Sequence, residues 1–337
     1  MHIIFRTKIK FLAVIIIVLI YLSAGCSKKK TTEPLPDSYE SVTMLNQLEG
    51  NDGGFINTYA PVFISASDLR TIYLSDSTNT QLIVIDVRSN SDYANGHIQG
   101  SVNVQFHDLL NYFSSNNLKT YHDVVIVDFT GEKAAFAASL MQLGGYGNVS
   151  SLFWGLSSWH EDFNLWDMAV NNSKASIFSK EPIPKAFPGS MPKLGTGKSS
   201  AMDIINARIQ TVLDEDFDKS VITNDSLFQN LAKYYIIQYS KYDEYLDYGH
   251  IPGSINYVPH NDFRLSAYLN TLPVEKPIVV YDYTGQISGY VTAYLRMLGY
   301  NANILLYGEN GMIYDVLKSN GFPVWKITEC KNYPYIK

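Results

Sequence analysis

The chain has 337 residues, of which 46% are hydrophobic and 17% are charged, and its formal net charge is −6. This length and composition predict two globular domains, each with its own core. The acidic balance argues against nucleic acid as a partner, because nucleic-acid-binding domains present basic surfaces.

The first 25 residues have the outline of an export signal. Basic residues at positions 6, 8 and 10 precede the apolar run FLAVIIIVLIYL, which is shorter than the roughly 20 residues that span a membrane. The run leads into Leu22-Ser23-Ala24-Gly25-Cys26. This stretch resembles the lipobox of bacterial lipoproteins, although Ser23 stands where leucine is usual.

The lipobox resemblance implies cleavage before Cys26, a lipid on Cys26 and attachment to a membrane of the bacterial cell envelope. An ordinary signal peptide and an uncleaved N-terminal anchor are the alternatives, and both place the body of the protein outside the cytoplasm. The polar, proline-containing residues that follow predict a flexible tether over 26–54. If Cys26 carries a lipid, Cys330 stands alone and no intrachain disulfide is available.

An internal repeat organises the rest of the chain. Three segments of the first half recur about 150 residues later in the same order. LIVIDVRSNSDYANGHIQGSVNV recurs as YIIQYSKYDEYLDYGHIPGSINYV, the Asp128 turn VVIVDFTG recurs as the Asp282 turn IVVYDYTG, and LFWG recurs as LLYG. We expect domains at 55–175 and 205–330. Between them, 176–204 is rich in Pro, Gly and Ser and predicts a linker.

Short apolar runs alternate with helical stretches in both copies. Leu82–Val87, Val124–Val127 and Ile278–Tyr281 have the length of buried strands. This alternation predicts an α/β fold in which each domain has a central, mainly parallel sheet flanked by helices. Because ligands bind at the carboxyl ends of such strands, Asp128 and Asp282 fall at functionally favourable positions.

The motifs resemble those of tandem rhodanese, or sulfurtransferase-like, proteins. In the first copy these are the Asp86-x-Arg88 pair, the Gly-His-Ile turn at His97, and the closing segment NVSSLFWGLSSW. The second copy keeps the turn at His250, but Gln238-Tyr239-Ser240 replaces the Asp-x-Arg motif. The resemblance covers most of the chain after the tether.

The resemblance implies a reactive cysteine, which would carry a persulfide in a ring of backbone amides after the central strand. Asp128 and Asp282 stand at that position, and both cysteines of the chain lie outside the two loops. We favour the interpretation that each Asp caps its helix. An aspartyl nucleophile is the alternative, but Lys133 is the only cation in either loop and Ile287 is its counterpart.

A third interpretation gives the loops a binding role. The candidate residues are Phe129, Thr130, Gly131, Glu132 and Lys133 in the first loop and Tyr283, Thr284, Gly285, Gln286 and Ile287 in the second.

Other candidate residues favour structural roles. The resemblance implies a structural role for the turns at His97 and His250, with a metal-binding or general-base role as the alternative. Asp86 and Arg88 are expected to form an ion pair near the pocket, with a substrate contact as the alternative. The histidine and cysteine spacing predicts no metal site, and no cofactor is expected. The aromatic residues Trp154, Trp159, His160, Phe163 and Trp166 mark either a docking surface or the packing of the closing segment against the sheet.

These observations predict an exported, lipid-anchored tandem rhodanese-like protein that is inactive as a sulfurtransferase. It would act as a binding or sensing module for an unidentified small ligand or protein. The alternative is an enzyme, either of the sulfurtransferase class or with a changed, aspartate-based chemistry.

Overall fold

The computed structural model describes residues 37–75 and 81–337. The expected signal peptide, Cys26 with its lipid, and the start of the tether lie outside the described residues. In that part of the chain the helices, numbered α1 to α12, are Asp37–Glu49, Gly54–Thr58, Ala66–Ser75, Asn90–Asn95, Leu109–Ser115, Glu132–Leu143, Trp166–Ala169, Ala201–Asp214, Asn224–Gln229, Tyr242–Asp247, Gln286–Met297 and Tyr314–Ser319.

The strands form two parallel sheets of five strands each. Numbered β1 to β10, they are Phe63–Ile64, Leu82–Asp86, Val102–Asn103, Asp123–Val127, Val149–Leu152, Val221–Ile222, Tyr235–Tyr239, Ile255–Tyr257, Ile278–Tyr281 and Ala302–Leu305. The strand order is β1-β5-β4-β2-β3 in the first sheet and β6-β10-β9-β7-β8 in the second. The predicted α/β fold with two mainly parallel sheets is confirmed.

The repeat extends to the register of the central strands. Asp86 pairs with Val127 in the first sheet, and Gln238 pairs with Tyr281 in the second. Residues Val124–Val127 and Ile278–Tyr281 are fully buried, as expected of strands covered on both faces. The chain leaves each central strand directly into Asp128 or Asp282, which therefore lie at the carboxyl edge of their sheets.

One apolar core is shared by the two halves of the molecule. It includes residues of α6 and α11, such as Phe136 and Tyr290, and each sheet has a further core on its other face. A Cβ at Gly289 would lie 3.0 Å from the carbonyl oxygen of Glu132 and 3.1 Å from Cβ of Ala135. The missing side chain at Gly289 thus lets α6 and α11 approach closely.

Residues 37–49, within the stretch predicted as a flexible tether, form helix α1. The helix buries Met44 and Leu45 in the shared core, and the carboxylate of Glu40 accepts the amide N–H groups of Thr196 and Gly197 at 2.7 and 2.8 Å. The prediction of a flexible tether is therefore wrong for residues 37–49, because a few apolar side chains of this mostly polar segment pack into the core.

Two extended segments connect the halves reciprocally. Ser179, in the predicted linker, exchanges two backbone hydrogen bonds of 2.8 Å with His250 of the second half. Ile336, near the C-terminus, exchanges backbone hydrogen bonds of 2.8 and 3.0 Å with His97 of the first half. Each Gly-His-Ile turn is thus held by a segment that follows the other sheet. All helices among the described residues are too short or too polar to cross a bilayer.

Candidate functional site

The first cradle, residues 128–134, surrounds the carboxylate of Asp128. Its Oδ1 accepts the amide N–H groups of Gly131 and Ala134 at 2.8 and 3.2 Å, and its Oδ2 accepts the amide of Thr130 at 3.3 Å. Burial raises the pKa of Asp128, and the three amides oppose that rise. The carboxylate therefore fills the site formed by the unpaired amides at the start of α6.

The second cradle, residues 282–288, repeats this arrangement with two side-chain hydroxyls among its donors. Oδ2 of Asp282 accepts the amide and the hydroxyl of Thr284 at 2.9 and 3.0 Å. Its Oδ1 accepts the amide and the hydroxyl of Ser288 at 3.0 and 2.6 Å. Two side-chain hydroxyls thus supplement the amides, and Asp282 is tied to its loop through four hydrogen bonds.

A closing turn covers each cradle from its own domain. Leu156 donates its amide N–H to the carbonyl of Asp128, and Glu309 donates to the carbonyl of Asp282 in the same way. A Cβ at Gly155 would lie 2.5 Å from the amide nitrogen of Gly131, and a Cβ at Gly308 would also collide with its cradle. Glycine is required at both positions for this close approach.

The two domains exchange side chains across these closing turns, an arrangement that we call the clasp. Oε1 of Glu132, in the first cradle, accepts the amide N–H of Tyr307 at 2.5 Å. Oε1 of Gln286, in the second cradle, accepts the amide N–H of Trp154 at 2.9 Å. Tyr307 and Trp154 both have positive φ angles, 63° and 65°, so the clasp holds two residues in a conformation that side chains disfavour.

The candidate binding residues of the two loops therefore lie largely inside the molecule. Thr130, Gly131, Glu132, Thr284, Gly285 and Gln286 are buried, and Phe129, Lys133, Tyr283 and Ile287 are half-buried. The Lys133 ammonium lies 5.2 Å from the centre of the Phe106 ring. The loops thus form the contact between the domains instead of an open surface.

Asp86 and Arg88 form a buried ion pair in the first domain. Nη2 of Arg88 lies 2.7 Å from Oδ2 of Asp86, and it also donates to the carbonyl of Gly96 at 2.7 Å. The guanidinium carbon lies 4.6 Å from the centre of the Phe129 ring. The pair thereby connects β2, the Gly-His-Ile turn and the first cradle.

The second domain has an uncharged donor in place of this ion pair. Nε2 of Gln238 donates to Oε1 of Glu309 at 2.6 Å, and both side chains are buried. Burial raises the pKa of Glu309 to about 8, and the neighbouring Asp282 adds to the rise. Glu309, which sequence reasoning missed, thus supplies a protonated partner where the Asp-x-Arg motif has been lost.

His97 and His250 occupy matching positions in their turns. Nδ1 of His97 lies 2.9 Å from the carbonyl of Tyr93, and the two rings stack at 3.7 Å. His250 stacks on Tyr245 at 3.8 Å, and burial lowers its pKa. The residues described here include no group of three or more His, Cys, Asp or Glu side chains suited to a metal ion.

The aromatic residues of the closing segment pack inside the molecule. Trp154 and Trp166 form a buried cluster with Trp325, and the indole N–H of Trp166 donates to the carbonyl of Thr130 at 3.2 Å. Trp159 is buried and donates to Pro334 of the C-terminal segment. Phe163 packs against Tyr335, and so does His160. A packing role therefore accounts for these side chains.

Comparison with known families identifies both halves of the chain. The model of the Rhodanese-like domain matches residues 71–162 and 223–312. The chain belongs to the Rhodanese-like domain family. Each match contains one cradle, one closing turn and one Gly-His-Ile turn, so the protein has two rhodanese-like domains in tandem.

Similar proteins include two curated thiosulfate sulfurtransferases, both named GlpE. That of Stutzerimonas stutzeri is 27% identical over 85 residues, which cover 25% of this chain and 76% of that protein. That of Shewanella oneidensis is 30% identical over 78 residues, which cover 23% and 75%. A solved Rhodanese-like domain from Anabaena sp is 29% identical, covers 29% of this chain and 71% of its own, and has a TM-score of 0.26.

Proposed function

We propose that this protein is an exported, lipid-anchored tandem rhodanese-like protein that does not transfer sulfur and acts as a binding or sensing module. One observation carries the proposal: in both domains an Asp carboxylate accepts the amides at the start of the helix that follows the central strand. A thiolate in that position would need the same amides.

The first step of the argument concerns the sulfur carrier. Asp128 and Asp282 stand where the family resemblance implies a cysteine, and a carboxylate forms no persulfide. Cys330 is the only cysteine among the described residues. Its Sγ donates to Asn332 at 3.4 Å, and burial raises its pKa, which disfavours the thiolate.

The second step concerns an aspartate-based reaction. A nucleophilic carboxylate in phosphoryl transfer requires cations beside it. Lys133 points to the Phe106 ring, and Asp128 and Asp282 are only 6% and 1% exposed. The surroundings of both carboxylates thus favour a structural role over catalysis.

The third step concerns binding and location. The clasp connects each cradle to the closing turn of the other domain, so a ligand that displaces one loop would alter the contact between the domains. Such coupling suits a sensor. The lipobox at Cys26 supports anchoring to the cell envelope.

A sulfur-transfer assay on the soluble fragment from Ser27 onward tests the proposal. The natural fragment, the D128C/D282C double variant and a D128S/D282S control are given thiosulfate and cyanide, and mass spectrometry monitors bound sulfur. We expect the natural fragment and the control to be silent. The double variant should acquire persulfide, first at position 128, which is the more exposed.

Turnover by the natural fragment would contradict the proposal. A C330S variant then locates the chemistry: lost turnover identifies Cys330 as the nucleophile, and retained turnover requires a group other than this thiol. Anchoring is tested separately, by radiolabelled fatty-acid incorporation into the natural chain and into C26A. Equal labelling of both would contradict the lipid on Cys26.

A further inference from the structure

We propose that the clasp is a proton-operated switch, in which neutral Glu132 holds the two domains together and ionised Glu132 releases them. This inference goes beyond the proposed loss of sulfur transfer and does not depend on it.

The first argument is the enclosure of Glu132. Its side chain belongs to the first domain, but it reaches into the second, where Oε1 accepts the Tyr307 amide. A Cβ at Gly285 would collide with that same Oε1. Glu132 is 2% exposed, so its carboxyl group has no contact with bulk water that would favour a charge.

The second argument comes from the matching position in the other domain. Gln286 makes the equivalent contact with Trp154 through its amide oxygen and is fully buried. Gln has the shape of Glu but never carries a charge. One half of the clasp therefore works with a neutral side chain, and the other half carries a titratable one in the same geometry.

The third argument is the charge around Glu132. The groups that face it are the carboxyls of Asp128 and Asp282, the phenol of Tyr307 and, next to Asp282, the carboxyl of Glu309. The adjacent Lys133 lies over Phe106, and none of the salt bridges found among the described residues involves Glu132. A negative charge on Glu132 would be buried beside two other carboxyl groups.

The proton has a defined place in the network. Oε2 of Glu132 lies 2.9 Å from the Thr130 hydroxyl oxygen, which lies 3.5 Å from Oδ2 of Asp128. In the structure the Thr130 hydroxyl donates to Oε2 of Glu132. A proton on Oε2 reverses this bond, so that neutral Glu132 donates to the hydroxyl oxygen of Thr130 and Thr130 donates to Asp128. Ionisation releases one proton to solvent, returns the Thr130 hydroxyl to Glu132 as a donor, and leaves a buried charge on Glu132 beside two other carboxyl groups. Opening the clasp to water separates that charge from them.

The pH window follows from the direction of the shift. Burial raises the pKa of Glu132 from 4.5 to about 8; the Tyr307 amide and the Thr130 hydroxyl oppose the rise, and both cradle aspartates add to it. Folding therefore favours the protonated form. The stabilisation is complete below pH 4.5 and is lost as the pH rises to about 8.

Tryptophan emission of the full chain in detergent tests the switch. Trp166 packs against the Tyr307 ring at 5.1 Å and donates to Thr130, so it reports on the clasp. The natural chain should show a reversible red shift between pH 7 and 9, centred near 8, with faster proteolysis between the domains. E132Q should abolish both changes, whereas E309Q, the control for the other buried glutamate, should keep them.

Three results would overturn the switch: a flat emission profile in the natural chain, an unchanged transition in E132Q, or a transition lost in E309Q alone. If circular dichroism shows that E132Q does not fold, infrared spectroscopy of E309Q decides, because Glu309 in the natural chain would add a protonated-carboxyl band of its own. A protonated-carboxyl band that disappears with the same midpoint as the emission change supports the switch, and absence of that band at pH 7 overturns it.

Discussion

Each of the two domains has a cradle, a closing turn and one half of the clasp, but the buried polar side chains beside the cradle find different hydrogen-bond partners in the two domains. The first uses the ion pair of Asp86 and Arg88, and the second uses the hydrogen bond between Gln238 and Glu309. In each domain an Asn on the neighbouring strand donates to the two equivalent backbone carbonyls: Asn103 to those of residues 86 and 88, and Asn256 to those of residues 238 and 240. Each of these buried side chains thus makes at least one hydrogen bond, and the two domains use different residues for it.

A smaller difference lies inside the cradles. Ser288 donates its hydroxyl to Asp282, whereas the matching residue, Ala134, offers only its amide to Asp128. The two halves of the clasp also differ by one residue, because Glu132 in the first domain corresponds to Gln286 in the second. These differences indicate that the second domain holds its carboxylate more tightly and that the first domain carries the titratable half of the interface.

The largest effect should come from breaking the ion pair of the first domain. R88M removes the cation that pairs with buried Asp86 and leaves its carboxylate only the backbone N–H of residue 88, so we expect the free energy of unfolding to fall by about 3–5 kcal/mol. Urea unfolding measures the change. The D86N/R88M double variant, which imitates the uncharged second domain, should recover part of this loss. A double variant as unstable as R88M would show that the charge on Asp86 is not the cause.

A second prediction compares the closing turns with other glycines of positive φ. G155A and G308A should each lower the free energy of unfolding by about 2 kcal/mol more than G100A or G253A, because their Cβ atoms collide with the cradles. Gly100 and Gly253 have φ angles of 80° and 87° and nothing within 4 Å, so they control for the backbone conformation alone. Equal losses in all four variants would mean that the close approach is not needed.

The sequence predicted the features that depend on local patterns. Apolar runs such as Val124–Val127 identified the central strands, and the repeat placed Asp128 and Asp282 at equivalent edges. These signals work because a strand covered on both faces must be apolar throughout. The paired Gly-His-Ile turns and the ion pair of Asp86 and Arg88 were visible for a similar reason, since each lies within one short segment.

Contacts between distant segments were beyond the reach of this reasoning. The clasp joins Glu132 to Tyr307, and the C-terminal segment joins Ile336 to His97, with no periodicity to mark either contact. Glu132 and Gln286 were candidates for ligand binding, and only the structure places them between the domains. Their isosteric shapes at the same position of the repeat were the one available signal. Helix α1 could not be predicted either, because its few apolar residues do not form a clear helical pattern.

The smallest effect should come from exchanging the residues that differ between the cradles. S288A removes one donor from Asp282, which keeps three others, so we expect a loss of about 1 kcal/mol in the free energy of unfolding. A134S should add the missing donor to Asp128 and stabilise the first domain by about 0.5 kcal/mol. Urea unfolding and hydrogen exchange at the two cradle amides measure both changes. If A134S is strongly destabilising instead, the first cradle lacks room for a hydroxyl at this fully buried position, and the two cradles differ in shape as well as in composition.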